Sequence, residues 1–406
     1  MTRNKLATPA ALAAAVILLV TAVFLGWLVV RVAAVETLAS QGARPGMLVA
    51  GRPTVVLAQA VGGLIIGRGK VDPATLPAVR RAAAALPLDA RPYLLIASDY
   101  AQRGRRDLAI KSLEAGRRLD PRQRWIHILL LDRYLRDGKY VAAAEELSVL
   151  SRLVGGAQGP IATAMAQMSV APETRDAVRE TLRQDPVLER SVLTSLASSG
   201  TEPATLFAMA SPSAVAMANV PGGWGTVLVD RLVEARRYAQ ARRVWQRINR
   251  LNDQQVAPLL YDAVLDRLPG STPFNWTFNS GALAAVDVRG KKLEVNYYGR
   301  ESGELANQLI LLPPGTYRFG FVVSGMQPAA TPKLAWVFSC QDAPKQTLAS
   351  IPLQVGDSNP RRIAGTVIVP AGCPAQRLRL TGIADEFPAP ISATIEGLRL
   401  DKVAAR

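Results

Sequence analysis

This 406-residue sequence predicts a multidomain chain of α and β parts: an N-terminal transmembrane helix, an α-helical repeat solenoid and a C-terminal antiparallel β-sandwich. Three observations predict it. An uncharged run extends from Leu6 to Val30. A tyrosine, a glycine and an alanine recur at an interval of 34 residues. After Pro269-Gly270 the helical periodicity gives way to short Val, Ile, Leu, Tyr and Phe runs separated by turn residues. A chain this long is expected to form two or three domains around separate cores. Its 49% hydrophobic and 20% charged residues place it among folded chains.

The first element is the anchor, residues 1–35 with a short cytoplasmic stub. At about 1.5 Å rise per residue, roughly 20 apolar residues cross a bilayer core. The run from Leu6 to Val30 exceeds that, and it exceeds the roughly 7–15 residues of a cleavable signal. Arg3 and Lys5 lie on the short side, which is expected to stay in the cytoplasm, and Trp27 suits an interfacial position. Arg31 and Arg44 follow on the far side. The alternative is a long cleaved signal, and both readings export the body of the chain. The expected location is a bacterial inner membrane, single-pass, with the bulk periplasmic.

Residues 36–70 form a connecting region whose apolar stretch, Val55 to Ile66, is too short for a second span and suits a short helix. From 71 to 268 the pattern is helical. Tyr100 and Tyr134, Gly104 and Gly138, and Ala109 and Ala143 are each 34 apart. Two antiparallel helices need a tight turn, where glycine tolerates positive φ. A small residue lets the partner helix approach, and a tyrosine fills the space between helices. One hairpin cannot hide its own apolar face, so neighbours stack. A degenerate copy carries Tyr238, Ala241 and Trp245, with Leu232 in the place of Tyr134. Between the copies, 171–186 and 188–200 read as helices and 211–225 as a loop or break.

A 34-residue period with these residue types resembles the tetratricopeptide family, well over 90–154 and in part over 224–268. The resemblance implies a helical solenoid whose concave face holds a protein partner.

Residues 271–406 show nine strand-like runs with turn signals about every ten residues, the rhythm of an antiparallel sandwich. "LPPGTYRFGFVVSG" leads from Pro-Pro-Gly into an alternating strand, an arrangement common in jelly rolls. The segment resembles the sugar-binding β-sandwich modules of exported bacterial proteins. That implies a flat aromatic platform for a sugar ring, with Trp276, Tyr297, Tyr298 and Trp336 as candidates and Asn296 and Gln308 as nearby amides; the alternative for most of them is the core. As consecutive strand residues, Tyr297 and Tyr298 face opposite sides. The two cysteines, Cys340 and Cys373, can pair in an oxidising compartment. The alternative is two small buried hydrophobes.

The net charge of +16 favours acidic partners, and most of it lies before residue 271 as scattered Arg-rich stretches such as "EARRYAQARRVWQR". These read as solvated helix faces, and no basic block with interleaved aromatics suggests nucleic acid. Catalytic signatures are missing. The single histidine, His127, falls at a helix-packing position, and there is no G-x-S-x-G elbow or P-loop. Asp385 and Glu386 are adjacent and would point apart on a strand, so a glycosidase pair is not expected; a turn before Pro388 is. No cofactor, metal or enzymatic activity is expected. The leading reading is a membrane-anchored periplasmic scaffold that binds an envelope protein through its repeats, in surface-polysaccharide assembly or export. The alternative is a glycan-binding protein acting through the sandwich.

Overall fold

The computed structural model describes residues 52–326, 332–354 and 359–403. The expected anchor therefore lies outside the described residues; among those described, no helix is long and apolar enough to cross a membrane. The chain divides into two compact units, at Ile161/Ala162.

In the first unit, α1 (Pro53–Ile66) fills the apolar stretch of the connecting region and packs on α2 (Leu76–Ala85) and α3 (Arg91–Gln102). The hairpin of α3 with α4 (Arg106–Leu119) is followed by that of α5 (Arg124–Arg136) with α6 (Tyr140–Leu153), and α4 packs on α5. Leu57, Val79, Leu94, Leu113, Ile126 and Leu130 are among the residues that build the shared core. Ala109 and Ala143 are buried without residual exposure, as the spacing requires of a close contact, and Tyr134 is buried while Tyr100 is half-buried.

The glycines end their helices in one way. Gly104 and Gly138 have φ of +74° and +68°. Arg105 N–H bonds the Tyr100 carbonyl and Lys139 N–H the Tyr134 carbonyl, each at 2.8 Å. This is the Schellman closure, in which a left-handed residue lets the chain satisfy helix-end carbonyls. The recurring tyrosine is thus the residue whose carbonyl takes the closing bond. Gly116 serves a different need: a Cβ there would meet Ile126 Cδ1 at 2.9 Å, so α5 comes close to α4 only because the side chain is absent.

Three charged residues link α4, α5 and α6. His127 Nδ1 donates to Glu146 at 2.5 Å, its Nε2 donates to the Pro121 carbonyl at 2.9 Å, and Arg117 pairs with the same Glu146. Both ring nitrogens face acceptors, so this geometry is that of the imidazolium. Burial pushes the His127 pKa down, but the hydrogen bonds to Glu146 and Pro121 and the field of Glu146 outweigh it and leave the pKa raised.

The second unit takes the remaining helices together with the sandwich. After α7 (Gln158–Val170), helices α8 (Pro172–Arg183), α9 (Pro186–Ser198), α10 (Pro203–Met209) and α11 (Pro212–Ala216) each begin on proline, whose fixed φ suits the first helical position. The segment read as a loop or break therefore contains a short helix, α11. The hairpin of α12 (Trp224–Glu234) and α13 (Tyr238–Ile248) repeats the Schellman closure: Arg237 N–H bonds the Leu232 carbonyl at 2.8 Å. Here Arg236, at φ +60°, occupies the place of the glycine. Tyr238, Ala241 and Trp245 are all buried. A last short helix, α14 (Asp253–Val256), carries a capping box from Asn252 to Gln255.

Among the described residues, ten strands form two antiparallel five-stranded sheets. The first has the order β1-β4-β9-β6-β7, with β1 (Thr277–Phe278), β4 (Gly303–Ile310), β9 (Gln376–Gly382), β6 (Leu334–Cys340) and β7 (Ala343–Pro352). The second has the order β2-β3-β10-β5-β8, with β2 (Ala284–Arg289), β3 (Lys292–Tyr297), β10 (Ile391–Lys402), β5 (Gly315–Met326) and β8 (Arg361–Val369). Phe319 on β5 meets Trp336 and Phe338 on β6 between the sheets, and Phe321 packs beside Phe319. The strand the sequence did not signal is β7. It pairs only with β6, at the sheet edge, and most of its side chains are exposed. An edge strand with Lys345 and Gln346 in solvent carries no apolar alternation to read.

Cys340, at the end of β6, and Cys373, before β9, are joined in a disulfide with Cα atoms 5.6 Å apart. The sequence boundary at 268/271 does not separate two bodies. Leu260 and Leu265 enter the sandwich core, Trp276 Nε1 donates to the Asp262 carbonyl at 3.2 Å, and Trp245 Nε1 donates to the Ser271 carbonyl at 2.6 Å. The segment after α13 is part of the sandwich core, which is why residues 162–268 belong with the strands.

Candidate functional site

The aromatic platform expected from the sequence does not form. Trp336 and Tyr297 are 0% exposed and Trp276 is 7% exposed; only Tyr298, at 37%, reaches solvent. The register explains it. Trp336 lies opposite Leu380 of β9 on the inner face, and Tyr297 lies opposite Ile391 of β10 and donates its hydroxyl to the Glu301 carbonyl. Trp276 stacks on Phe278 and leans against Trp336. These three rings hold the sheets together and cannot present a face to a sugar. Of the two amides, Asn296 accepts a hydrogen bond from Ser392 at 2.8 Å, and Gln308 is turned to the interior, where its Nε2 donates to the Tyr261 carbonyl at 3.0 Å. Asp385 lies outside the strands, as its place before Pro388 suggested, and pairs with Lys333 at 2.9 Å, which lowers its pKa. Among the described residues no three His, Cys, Asp or Glu side chains converge on a metal-sized site.

What the second unit does present is a cleft beside the disulfide, about 620 Å³ in volume. One wall is the start of α13 and the turn before it, with Arg236, Arg237, Tyr238, Gln240 and Arg243. The other wall is the β4–β5 loop with Pro313 and Pro314, and the β8–β9 loop with Cys373 and Pro374. Helical geometry sorts this stretch. Residues 239, 240 and 243 fall on one face and turn to the cleft, while 242 and 245 fall on another and turn inward. Beside the cleft, Tyr238 Oη donates to Asp342, in the turn between β6 and β7, at 2.5 Å. Burial, and then that hydrogen bond, raise the tyrosine pKa, so the phenol stays protonated.

The cleft is basic without being saturated. Arg236 pairs with Asp342 at 3.3 Å and Arg237 with Glu202 at 2.7 Å, both at exposed positions where a pair is worth about 1 kcal/mol or less. Arg243 is exposed at its rim and, among the described residues, makes no ion pair. Its surfaces are guanidinium planes, a buried-edge tyrosine and flat proline rings. Such a surface can bond acceptor oxygens and anions through the arginines and cover the apolar face of a ring with the prolines. The sequence carried a trace of this site in the paired arginines of "EARRYAQARRVWQR", which read there as a solvated face. The two loops opposite them are 70 or more residues away in the chain, and no local signal links them.

No protein-family model and no curated protein sequence matches the chain. Solved structures similar to it cover its C-terminal third. One described as "CBM4 structure and function" is 12% identical, covers 32% of this chain and 88% of its own, and has a TM-score of 0.27. The CBM22-1 xylan-binding domain of Xyn10C from Paenibacillus barcinonensis is 15% identical, with 32% and 87% covered and a TM-score of 0.25. The carbohydrate-binding module CBM6cm-2 of lichenase 5A from Cellvibrio mixtus, solved with cellotriose, is 11% identical, with 33% and 100% covered and a TM-score of 0.22. At these identities and scores the likeness transfers neither family nor ligand to this chain.

Proposed function

We propose that this protein is a non-enzymatic, membrane-anchored periplasmic component of the bacterial envelope whose second unit binds an acidic polysaccharide in the cleft beside the disulfide. The observation that carries the reading is the lining of that cleft: Arg236, Arg237 and Arg243 line it together with Pro313, Pro314 and Pro374, around a volume of about 620 Å³. The net charge of +16 adds a long-range attraction for the same kind of polymer. The apolar N-terminal run and the two cysteines support export, and export removes nucleic acid as the competing polyanion. This replaces the scaffold reading as the leading one. The helical hairpins of the first unit still support a tetratricopeptide-like stack that docks a protein partner, and the two roles are compatible.

The test is retention of the purified full chain on an immobilised uronate polymer and on neutral dextran, at about 150 mM salt, where exposed charges are screened beyond roughly 8 Å. The acidic polymer is expected to retain the wild type and dextran is not. Replacing Arg236, Arg237 and Arg243 together by alanine is expected to abolish retention, while three arginine-to-alanine changes elsewhere on the chain (Arg80, Arg81 and Arg179) leave it intact. Equal losses in both triple variants would reduce the binding to bulk charge and end the proposal.

A further inference from the structure

Behind Leu311, which also lines the cleft, the second unit holds a smaller cavity of about 230 Å³. It lies under α13, between the segment 256–261 and strand β4, and Arg242, Tyr261, Phe274 and Gln308 reach it. Two polar groups there lack the partners their chemistry calls for. The Arg242 guanidinium sits over Trp245 at 4.4 Å, Phe274 at 5.2 Å and Tyr261 at 5.8 Å, with no acceptor or counter-charge among the described residues. Gln308 is 0% exposed, and among the described residues no group donates to its Oε1.

The orientation of that amide is fixed. Gln308 Nε2 donates to the Tyr261 carbonyl, and a flip would set two acceptors against each other. The cavity therefore offers a cation that needs an acceptor and a buried acceptor that needs a donor. A simple anion answers the first need and not the second. A neutral sugar answers the second and leaves the guanidinium bare. A carboxylate that also carries hydroxyls answers both. The volume, set against the roughly 30 Å³ share of one water, suits a single small ring rather than a polymer segment.

The geometry points to the Arg242–Gln308 cavity as a binding site for a polyhydroxylated carboxylate of uronic-acid type, its carboxylate on Arg242 and a hydroxyl donating to Gln308 Oε1. Planar guanidinium matches carboxylate in a two-point fork, and three aromatic rings hold that plane in place before the ligand arrives. Burial lowers the Arg242 pKa to about 10, which leaves it cationic at neutral pH. The identity of the ligand as a sugar acid rests on the polysaccharide reading above; the need for an anion and a donor together does not. The ligand's source is open in chemistry, as a free uronate or as the terminal unit of an acidic chain.

The experiment is calorimetric titration of the full chain with galacturonate, glucuronate, the corresponding neutral hexoses, acetate and a uronate trimer. A uronate is expected to bind at least tenfold more tightly than its neutral hexose and than acetate. A preference for the trimer that disappears in Arg242→Lys identifies a chain end as the source; equal affinity for monomer and trimer identifies the free acid. Arg242→Lys keeps the charge and most of the stem but loses the fork, and is expected to weaken uronate binding at least tenfold. Gln308→Leu is expected to keep acetate binding and lose the preference for uronate over acetate. Unliganded melting curves establish that each variant is folded, and an unfolded one leaves the decision to the other variant and to the wild-type ligand series. Retention on the immobilised polymer through the Arg236, Arg237 and Arg243 cleft is a separate readout, so the two proposals fail separately. Wild-type protein that does not distinguish a uronate from its neutral hexose or from acetate overturns the inference.

Discussion

Replacing Glu146 by glutamine tests the charged link between α4, α5 and α6. The substitution keeps volume and removes charge. In the native protein Glu146 accepts from two cationic donors, Arg117 and His127, and both Glu146 and His127 are buried. A hydrogen bond to a charged group contributes roughly 1.5–3 kcal/mol and a neutral one about 1 kcal/mol. Glutamine also offers only one acceptor oxygen, so its amide nitrogen must face a donor at one of the two contacts. Together these give a loss of about 3 kcal/mol at pH 6. The pH dependence gives the sharper test. His127 has a raised pKa in the folded chain, against about 6.5 unfolded. Its contribution is therefore complete below about pH 6.5 and is lost as pH rises through the folded value, at up to about 1.4 kcal/mol per pH unit. The gap between wild type and Glu146→Gln should narrow over that window. Amide hydrogen exchange of peptides from 106–153, measured from pH 5.5 to 8.5 and corrected for intrinsic rates, reads the local opening free energy. A gap that stays constant with pH, or widens, would refute the imidazolium assignment; no gap at any pH would refute the link itself.

Four further outcomes are expected. Gly138→Ala should cost roughly 1–2 kcal/mol in urea denaturation although a Cβ there meets nothing within 4 Å, because the price is left-handed φ alone. Arg236→Gly, at the matching position of the α12/α13 hairpin, should stabilise by up to about 1 kcal/mol; a loss instead would mean the closure is not shared. Reducing Cys340–Cys373, which are 33 residues apart, should lower the stability of the second unit by about 2–4 kcal/mol, read as a lower urea midpoint in near-UV circular dichroism with reductant. Trp336→Ala should cost about 3–5 kcal/mol as a core cavity, whereas Tyr298→Ala should stay within about 0.5 kcal/mol; polymer binding that fails in Tyr298→Ala with stability intact would restore the aromatic platform.

The sequence by itself determined the elements that obey a local rule. The Gly104 and Gly138 turns, the buried Ala109, Ala143 and Ala241, the first hairpins and nine of the ten strands follow from spacing and alternation, because each records a constraint between residues close in the chain. Sequence also offered a disulfide between Cys340 and Cys373 as one of two readings, and the structure joins them. It could not show which face of a strand is inside: Tyr297 and Tyr298 differ by one residue, and only the pairing of β3 with β10 decides that the first is core. Edge strand β7 escaped because most of its side chains face solvent and leave no apolar alternation. The division of the chain at Ile161/Ala162 and not near 270 goes with Leu260 and Leu265 packing into the sandwich core, a contact between distant segments. The same holds for the arginines of α13. Their positions 242 and 243 are adjacent, but a helix turns them about 100° apart. Tertiary packing then gives one to solvent and places the other over three rings, so that two neighbouring charges meet different surroundings. Local spacing is written in the chain; the environment of each side chain is set by segments tens of residues away.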